Sequence, residues 1–383
     1  MISIVKLFIL SLFITFSSPF KPKPFRPVVI GPPFRDFTKL HPKINSEIQS
    51  FCGFQRETNR TEYPWAVSVL LDGVVNRLGG SIISPYHILT VAHGFLKMTM
   101  SSFGGEAPCS AIVYRKISEI RESRIVAYGG RCIRGHTTYL PNHKECKKAD
   151  VKYAKIRSIM LDGEFARKRC TNGHDWALIE LEKPIRFTEL VQPICLPTYD
   201  MRMKNRLLVP GWGRSYIFNE SSPLIHEIPM IVDHKCKRPV TDNLPVDADD
   251  ILCATSTNTR DYFAPRTCHG DSGAGMEQRD SEGRATLVAI TSFGTRGCPA
   301  NMLGRFTKVV NYLDTICEIT GSIRRLVRQW EMNGQRSVAR AGNYLRLVDR
   351  PRQTAVRIND DEVVARLLQM AADADLIPRH DSS

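Results

Sequence analysis

The sequence predicts an antiparallel all-β protein, and two observations carry that prediction. Short runs rich in β-branched and aliphatic residues recur from Tyr63 onward, and Gly, Pro and Asn separate them. The first run is Ala66-Val67-Ser68-Val69-Leu70-Leu71. Gly79-Gly80-Ser81-Ile82-Ile83-Ser84 turns into a second, and His87-Ile88-Leu89-Thr90-Val91 follows. Trp176 to Leu181, Ala285 to Thr291 and Phe306 to Val310 continue the pattern. Asn311 to Ile319 has helical spacing instead, so one short helix is expected at the end of the β-rich region.

The regions around this β-rich stretch differ in composition. The 383-residue chain is long enough for two or three domains, although an all-β protein can spend more than about 200 residues on one. Lys6, the apolar stretch Leu7 to Phe16 and the small residues of Thr15-Phe16-Ser17 read as a secretory signal peptide over residues 1–17. That stretch is too short for a membrane span, and no later segment is apolar enough for one. A soluble, secreted, extracellular protein is expected. Residues 18–51 hold Lys21-Pro22-Lys23-Pro24 and Gly31-Pro32-Pro33; proline removes donors and favours extended backbone, so a flexible leader or pro-segment is expected. Residues 95–172 do not fit the strand rhythm and read as an enlarged, basic, Cys-bearing insertion of the kind that carries specificity. After Gly321 the composition shifts again: residues 322–383 hold eleven arginines and no lysine follows Lys308. This tail reads as a solvated or partly ordered segment; an interaction arm and an incorrectly joined coding segment are the alternatives.

The net charge of +14 is high, but the basic residues are scattered and no nucleic-acid motif accompanies them. The charge points to acidic substrates or to acidic partners such as anionic glycans. Eleven cysteines in a secreted chain imply disulfides, with at least one left over because the number is odd. A zinc site built from Cys residues with His136, His143 and His174 is the weaker reading, so no metal or other cofactor is expected. Asn59-Arg60-Thr61 and Asn219-Glu220-Ser221 are N-glycosylation sequons, which fit a secretory route.

Three strings carry chemistry. Thr267-Cys268-His269-Gly270-Asp271-Ser272-Gly273 puts a serine in a tight glycine-flanked turn, as an exposed nucleophile needs. Thr90-Val91-Ala92-His93-Gly94 lies upstream, and His174-Asp175-Trp176-Ala177-Leu178-Ile179 lies between. Each alone has a bland reading: a structural histidine, a capping aspartate, a turn serine. A serine hydroxyl is a poor nucleophile near neutral pH, and needs a base held in the right tautomer by a third group. In the order His93, Asp175, Ser272 these residues supply all three parts.

On these strings residues 52–320 resemble the trypsin/chymotrypsin clan of serine proteases, and in particular the divergent trypsin-like peptidases common in nematodes. The resemblance implies two packed six-stranded antiparallel barrels with the site in the cleft between them and a short C-terminal helix. It implies an endopeptidase with Ser272 as nucleophile, His93 as general base and then acid, Asp175 orienting His93, and the N–H groups of Gly270 and Ser272 as the oxyanion hole. Asp175 and Ser272 lie 97 positions apart, as in that clan, while the longer interval from His93 to Asp175 is taken up by the insertion. The same likeness implies bridges Cys52–Cys195, Cys236–Cys253 and Cys268–Cys298. Leu78 and Gly94, and Leu207 and Gln278, stand where two further bridges of the clan would be. The pairing of Cys109, Cys132, Cys146, Cys170 and Cys317 stays open. Protein or peptide substrates, and protease inhibitors, are the partners so implied.

Three departures from the pattern matter. No Ile-Val-Gly-Gly string precedes Pro64-Trp65, so Asp271 lacks the ammonium that a cleaved terminus usually supplies. Ala274-Gly275 replaces the usual Gly-Pro after the nucleophile. The residue at the base of the primary pocket, where trypsin-like members carry aspartate, is Arg266; Gly294 and Gly304 occupy its walls, and Ser292-Phe293-Gly294 is the segment that pairs with substrate backbone. A guanidinium there attracts carboxylates and repels basic side chains, so cleavage after Asp or Glu is expected. In the alternatives, Arg266 turns outward, or fills the pocket so that only small side chains enter. The competing functional reading is a non-catalytic protease homologue that binds partners through the cleft or the insertion.

Overall fold

The computed structural model describes residues 27–30, 37–55, 63–98, 112–113, 121–133, 144–167, 170, 172–214 and 222–322. In chain order the elements are β1 (Pro27–Ile30), α1 (Pro42–Phe51), β2 (Ala66–Leu71), β3 (Val75–Ile82), β4 (His87–Thr90), β5 (Lys97–Met98), β6 (Ile112–Val113), β7 (Arg124–Tyr128) and β8 (Lys152–Asp162). There follow a one-turn helix α2 (Glu164–Arg167), β9 (Ala177–Leu181), β10 (Arg206–Gly211), β11 (His226–Asp233), β12 (Ile251–Ser256), β13 (Gly275–Arg279), β14 (Ala285–Gly294), β15 (Gly304–Lys308) and α3 (Leu313–Thr320).

Alternation of buried and exposed side chains makes strands of these runs. On β11, Ile228, Met230 and Val232 point inward while their neighbours face partly outward. Two closed six-stranded antiparallel barrels result. The first runs β8-β7-β2-β3-β4-β9 and closes by pairing β8 with β9; the second runs β10-β11-β12-β15-β14-β13. Closure removes the unpaired edges an open sheet would present. The first barrel fills with Val67, Val69, Ile88, Leu89, Ile159 and Ile179, the second with Val209, Ile228, Met276 and Phe306. The helix expected over Asn311–Ile319 forms as α3, starting two residues later at Leu313, behind a 3-10 turn at Val309–Tyr312.

Three sequence expectations need correcting. Residues 95–172 are not wholly an insertion: β7 and β8, two of the six strands of the first barrel, lie inside that stretch. The charged β8, Lys-Tyr-Ala-Lys-Ile-Arg-Ser-Ile-Met-Leu-Asp, hides its inward positions among exposed lysines, which is why it does not read as a strand. Gly79-Gly80 is not a turn but the middle of β3. Residues 18–51 are not a loose leader where they are described. β1 adds to the outer edge of β8, pairing Pro27 with Asp162 and Ile30 with Ile159. Phe37, Leu40 and Ile48 are buried, and α1 carries no proline beyond Pro42 at its start, where proline is tolerated. Arg284 of the second barrel donates to the carbonyls of Gln49, Ser50 and Cys52 at the C-terminal end of α1, neutralising its dipole. The signal segment 1–17, the tail 323–383, Asn59, Asn219, Cys109, His136 and His143 lie outside the described residues.

Candidate active site

The turn that bears Ser272 is docked against the first barrel through backbone. Gly79 N–H on β3 donates to Ser272 O at 2.7 Å, while Gly273 N–H ties the turn to the second barrel, donating to Thr291 O on β14 at 2.8 Å. A Cβ on Gly79 would come within 2.8 Å of Ala274, and one on Gly273 within 2.3 Å of Gly79 O. Glycine at both positions therefore permits the close approach, and Gly273 also has a φ of +84°. Thr90 Oγ1 caps the contact from β4, donating to Gly79 O at 2.7 Å. Sequence reading missed Thr90 and the role of Gly79; the available signal was a glycine pair inside a strand, which marks close backbone approach.

His93 begins a 3-10 turn just after β4, and Asp175 sits just before β9, the strand paired with β4. The pairing brings the two together. His93 Nδ1 lies 2.7 Å from Asp175 Oδ2, and His93 N–H donates to Asp175 Oδ1 at 2.9 Å. Ser292 Oγ donates to Asp175 Oδ2 at 2.5 Å from the second barrel. Burial pushes the Asp175 carboxyl up, but the His93 ring, the Ser292 hydroxyl and the His93 N–H outweigh it and hold the carboxyl below its ordinary value. The anionic form of Asp175 is thereby favoured, and it can accept a hydrogen bond from His93 Nδ1. Ser272 and His93 line one cleft of about 470 Å³ between the barrels. Among the described residues no hydrogen bond joins them; such a bond often tightens only when substrate binds.

Its neighbour His174 is held apart from this chemistry. It has a φ of +65° and is fully buried, its ring 2.8 Å from Asp162 Oδ2, which also accepts from Trp176 Nε1. His174 N–H donates to Asp250 Oδ2 at 2.7 Å, and Gly173 lies so close to that carboxylate that a Cβ would meet it at 2.2 Å. The strained backbone before Asp175 is thereby held by buried carboxylates.

Asp271 accepts Gly213 N–H at 2.8 Å and Cys268 N–H at 3.0 Å. A Cβ on Gly211 or Gly213 would strike its carboxylate, at 2.1 and 2.3 Å, so the bare backbone around Trp212 makes its socket. Burial pushes this carboxyl up to about 6; the imidazole of His226 and the two N–H groups pull it back only in part.

The pocket beyond Ser272 is bounded by Thr267, Ser292, Phe293, Gly294 and Gly304, with Gly294 and Gly304 register partners on β14 and β15. Arg266 is among the residues that line the cleft. It is buried, its Nε donates to Cys298 O at 2.5 Å, and its Nη1 donates to Ala264 O at 3.0 Å and to Tyr262 O. Tyr262 also lies under the guanidinium, 5.4 Å from its ring centre. Nη2 is buried with no hydrogen-bond partner among the described residues. Arg77, Arg214 and Arg296 line the same cleft, and no carboxylate among the described residues does. The far wall is braced by Arg305 on β15, fully buried and paired to both oxygens of Asp242 at 2.7 and 2.9 Å.

Disulfides join Cys52 to Cys195, Cys236 to Cys253, Cys268 to Cys298 and Cys132 to Cys146. Cys268–Cys298 ties the nucleophile turn to the pocket wall, and Cys52–Cys195 ties α1 to the barrels. Cys170 is disulfide-bonded, while Cys317 is a free thiol whose burial pushes it up to about 12, which disfavours the thiolate.

Residues 104–316, more than half of the chain, match the trypsin family. The CLIP domain-containing serine protease B8 of Anopheles gambiae is 28% identical over 280 residues, 68% of this chain and 64% of that protein. The CLIP domain-containing serine protease B15 of the same organism is 28% identical over 273 residues, 68% of this chain and 67% of that protein. The clotting factor G beta subunit of Tachypleus tridentatus is 23% identical over 295 residues, 71% of this chain and 83% of that protein. The chain spans less than two thirds of the first of these relatives. Two closed antiparallel barrels, a His-Asp pair and a serine turn in the cleft between them, and the family match over residues 104–316 lead to one conclusion: the chain belongs to the trypsin family of serine proteases.

Proposed function

We propose that the chain is a secreted serine endopeptidase that cuts after acidic residues. The observation that carries the catalytic reading is the hydrogen-bonded row His93–Asp175–Ser292 opening onto the cleft that Ser272 lines. Ser272 Oγ attacks the scissile carbonyl while His93 Nε2 takes its proton, and the carbonyl oxygen becomes an oxyanion facing the N–H groups of Gly270 and Ser272. His93 then protonates the leaving amine, and an acyl-enzyme remains on Ser272. Water, deprotonated by His93, attacks the acyl carbon, and the proton returns to Ser272 Oγ as the acid leaves. Asp175 stabilises the imidazolium at both stages. Secretion is supported by the apolar stretch Leu7 to Phe16 and the disulfides, and no helix among the described residues is long and apolar enough to cross a membrane.

The acidic preference rests on Arg266. Two of its nitrogens are spent on backbone carbonyls, which hold the guanidinium still, and its positive charge at the lining of the cleft favours a carboxylate entering past Gly294 and Gly304. Arg77, Arg214 and Arg296 add a positive field along the cleft that favours acidic peptides. Profiling against a peptide library is expected to show Asp or Glu before the scissile bond. Arg266→Ala is expected to cut turnover of the acidic substrate by about 10- to 100-fold, the worth of one charge-assisted bond, while leaving fluorophosphonate reactivity within a few fold. A preference for Lys or Arg would overturn it. For the catalytic reading, the test is fluorophosphonate labelling of the purified chain beside Ser272→Ala; labelling that persists in the variant would sink it.

A binding role without catalysis is favoured by one observation, the rise of Asp271 to about 6 with no ion pair among the described residues. Retention on heparin that vanishes at moderate salt would give the acidic-glycan partner of that reading.

A further inference from the structure

The peptide units around Gly270 are pinned from both sides by neutral groups, and Asn76 is at the centre of the arrangement. Asn76 lies on β3 and is buried in a strand whose other inward positions are Leu78, Gly80 and Ile82. Its Nδ2 donates to Gly270 O and to Trp212 O, each at 3.1 Å. Those two carbonyls only accept, which decides which end of the amide is the donor, and Ser68 Oγ on the paired strand β2 donates to the other end, Asn76 Oδ1, at 2.7 Å. A primary amide has two N–H bonds, one for each carbonyl. Nearby, Arg214 N–H donates to His269 O at 2.9 Å.

The peptide unit is planar, and its C=O and N–H point in opposite directions. Pinning His269 O toward Arg214 therefore turns the Gly270 N–H the other way. Pinning Gly270 O on Asn76 fixes the next unit, across a Gly270 φ of +97° that L side chains rarely adopt. Asp271 completes the arrangement by accepting Gly213 and Cys268 N–H groups. The Trp212–Arg214 segment and the Gly270 turn are thereby stapled to each other by Asp271 and to the first barrel by the neutral amide of Asn76.

We infer that Asn76 is the positioning residue of the oxyanion hole, and that its amide lets the site assemble in the uncut chain, with no new amino terminus. The inference rests on the serine-protease reading above. It does not follow from burial alone: a buried amide that served only packing would have no need to reach carbonyls on two separate loops of the other barrel.

The test uses the full chain, checked by mass to be uncut, and a fluorophosphonate probe. The inactivation rate at saturating probe, and the probe concentration giving half that rate, are measured for wild type, Asn76→Asp and Ser68→Ala. Asn76→Asp keeps the shape but loses the donors, and is expected to slow the saturating rate by about 100-fold, as a small misplacement of reacting geometry does. The half-saturating concentration is expected to stay within about threefold. Ser68→Ala, which removes the bond to Asn76 Oδ1 and leaves both Nδ2 bonds in place, is expected to slow it less, and guards against an Asn76→Asp chain that fails to fold. Equal saturating rates in folded variants would overturn the role of Asn76. Labelling that appears only after limited proteolysis would overturn assembly in the uncut chain. No labelling of wild type under either condition would instead overturn the catalytic reading itself.

Discussion

Asp175 and Asp271 are both almost wholly buried carboxylates at the same cleft, yet burial has opposite outcomes for them. Around Asp175, burial is outweighed by the His93 ring, the Ser292 hydroxyl and a backbone N–H, and the carboxyl falls below its ordinary value. Around Asp271 the direct bonds come from backbone N–H groups alone, and burial wins, lifting it to about 6. The difference teaches that a directly hydrogen-bonded imidazole, a hydroxyl and an N–H together outweigh desolvation at Asp175, while two N–H groups and the charge of His226, which makes no hydrogen bond to it among the described residues, do not at Asp271. The first arrangement suits a group that must stabilise an imidazolium; the second suits one that holds a turn in place.

The largest effect that would sharpen this comparison is at Asp175. Asp175→Asn keeps the shape but reverses what His93 Nδ1 meets, and kcat is expected to fall by about 10⁴-fold, with steady-state hydrolysis as the measurement. A loss of less than tenfold would break the contrast. A third buried carboxylate, Asp242, has a full guanidinium partner in Arg305. Asp242→Ala leaves that cation buried and unpaired and is expected to cost about 3–5 kcal/mol of stability, read from the urea midpoint. The smallest effect concerns Asp271. Its folded value of about 6 lies above its ordinary 3.8, so the folded state holds the proton more tightly. Its contribution to stability is therefore greatest at low pH and falls as pH rises from about 4 to 6, by up to about 3 kcal/mol. Asp175 runs the other way: its contribution is present above its unfolded value and lost as pH falls through its lower folded one. Asp271→Asn should flatten the slope of the urea midpoint between pH 4 and 6. An unchanged slope would show that Asp271 is not the group responsible.

Much of the molecule could be read from short strings. The apolar runs at Ala66–Leu71 and Ala285–Thr291 are strands because their composition leaves little else, and the strings around His93, Asp175 and Ser272 could be picked out by order alone. β8 was not legible, because lysines and an arginine on its outward face mask the inward positions. Nor was the packing of Phe37, Leu40 and α1 onto the barrels, since a proline-rich stretch gives no sign of what surface awaits it. Arg266 was legible as a residue type in a pocket position, but its orientation depends on the carbonyls of Tyr262, Ala264 and Cys298, which only the folded loop brings within reach.

By itself the sequence determined the β-rich character, the glycines at which backbone meets backbone, and the reactive residue types. These are local properties of composition and spacing. Tertiary structure decided which of them act on one another. Hydrogen-bond distances and desolvation are set by groups far apart in the chain: Ser292 bonds Asp175 across 117 positions, and Asn76 holds Gly270 across 194. No local pattern encodes such a contact, because its geometry comes from the closure of two barrels and the way their loops meet.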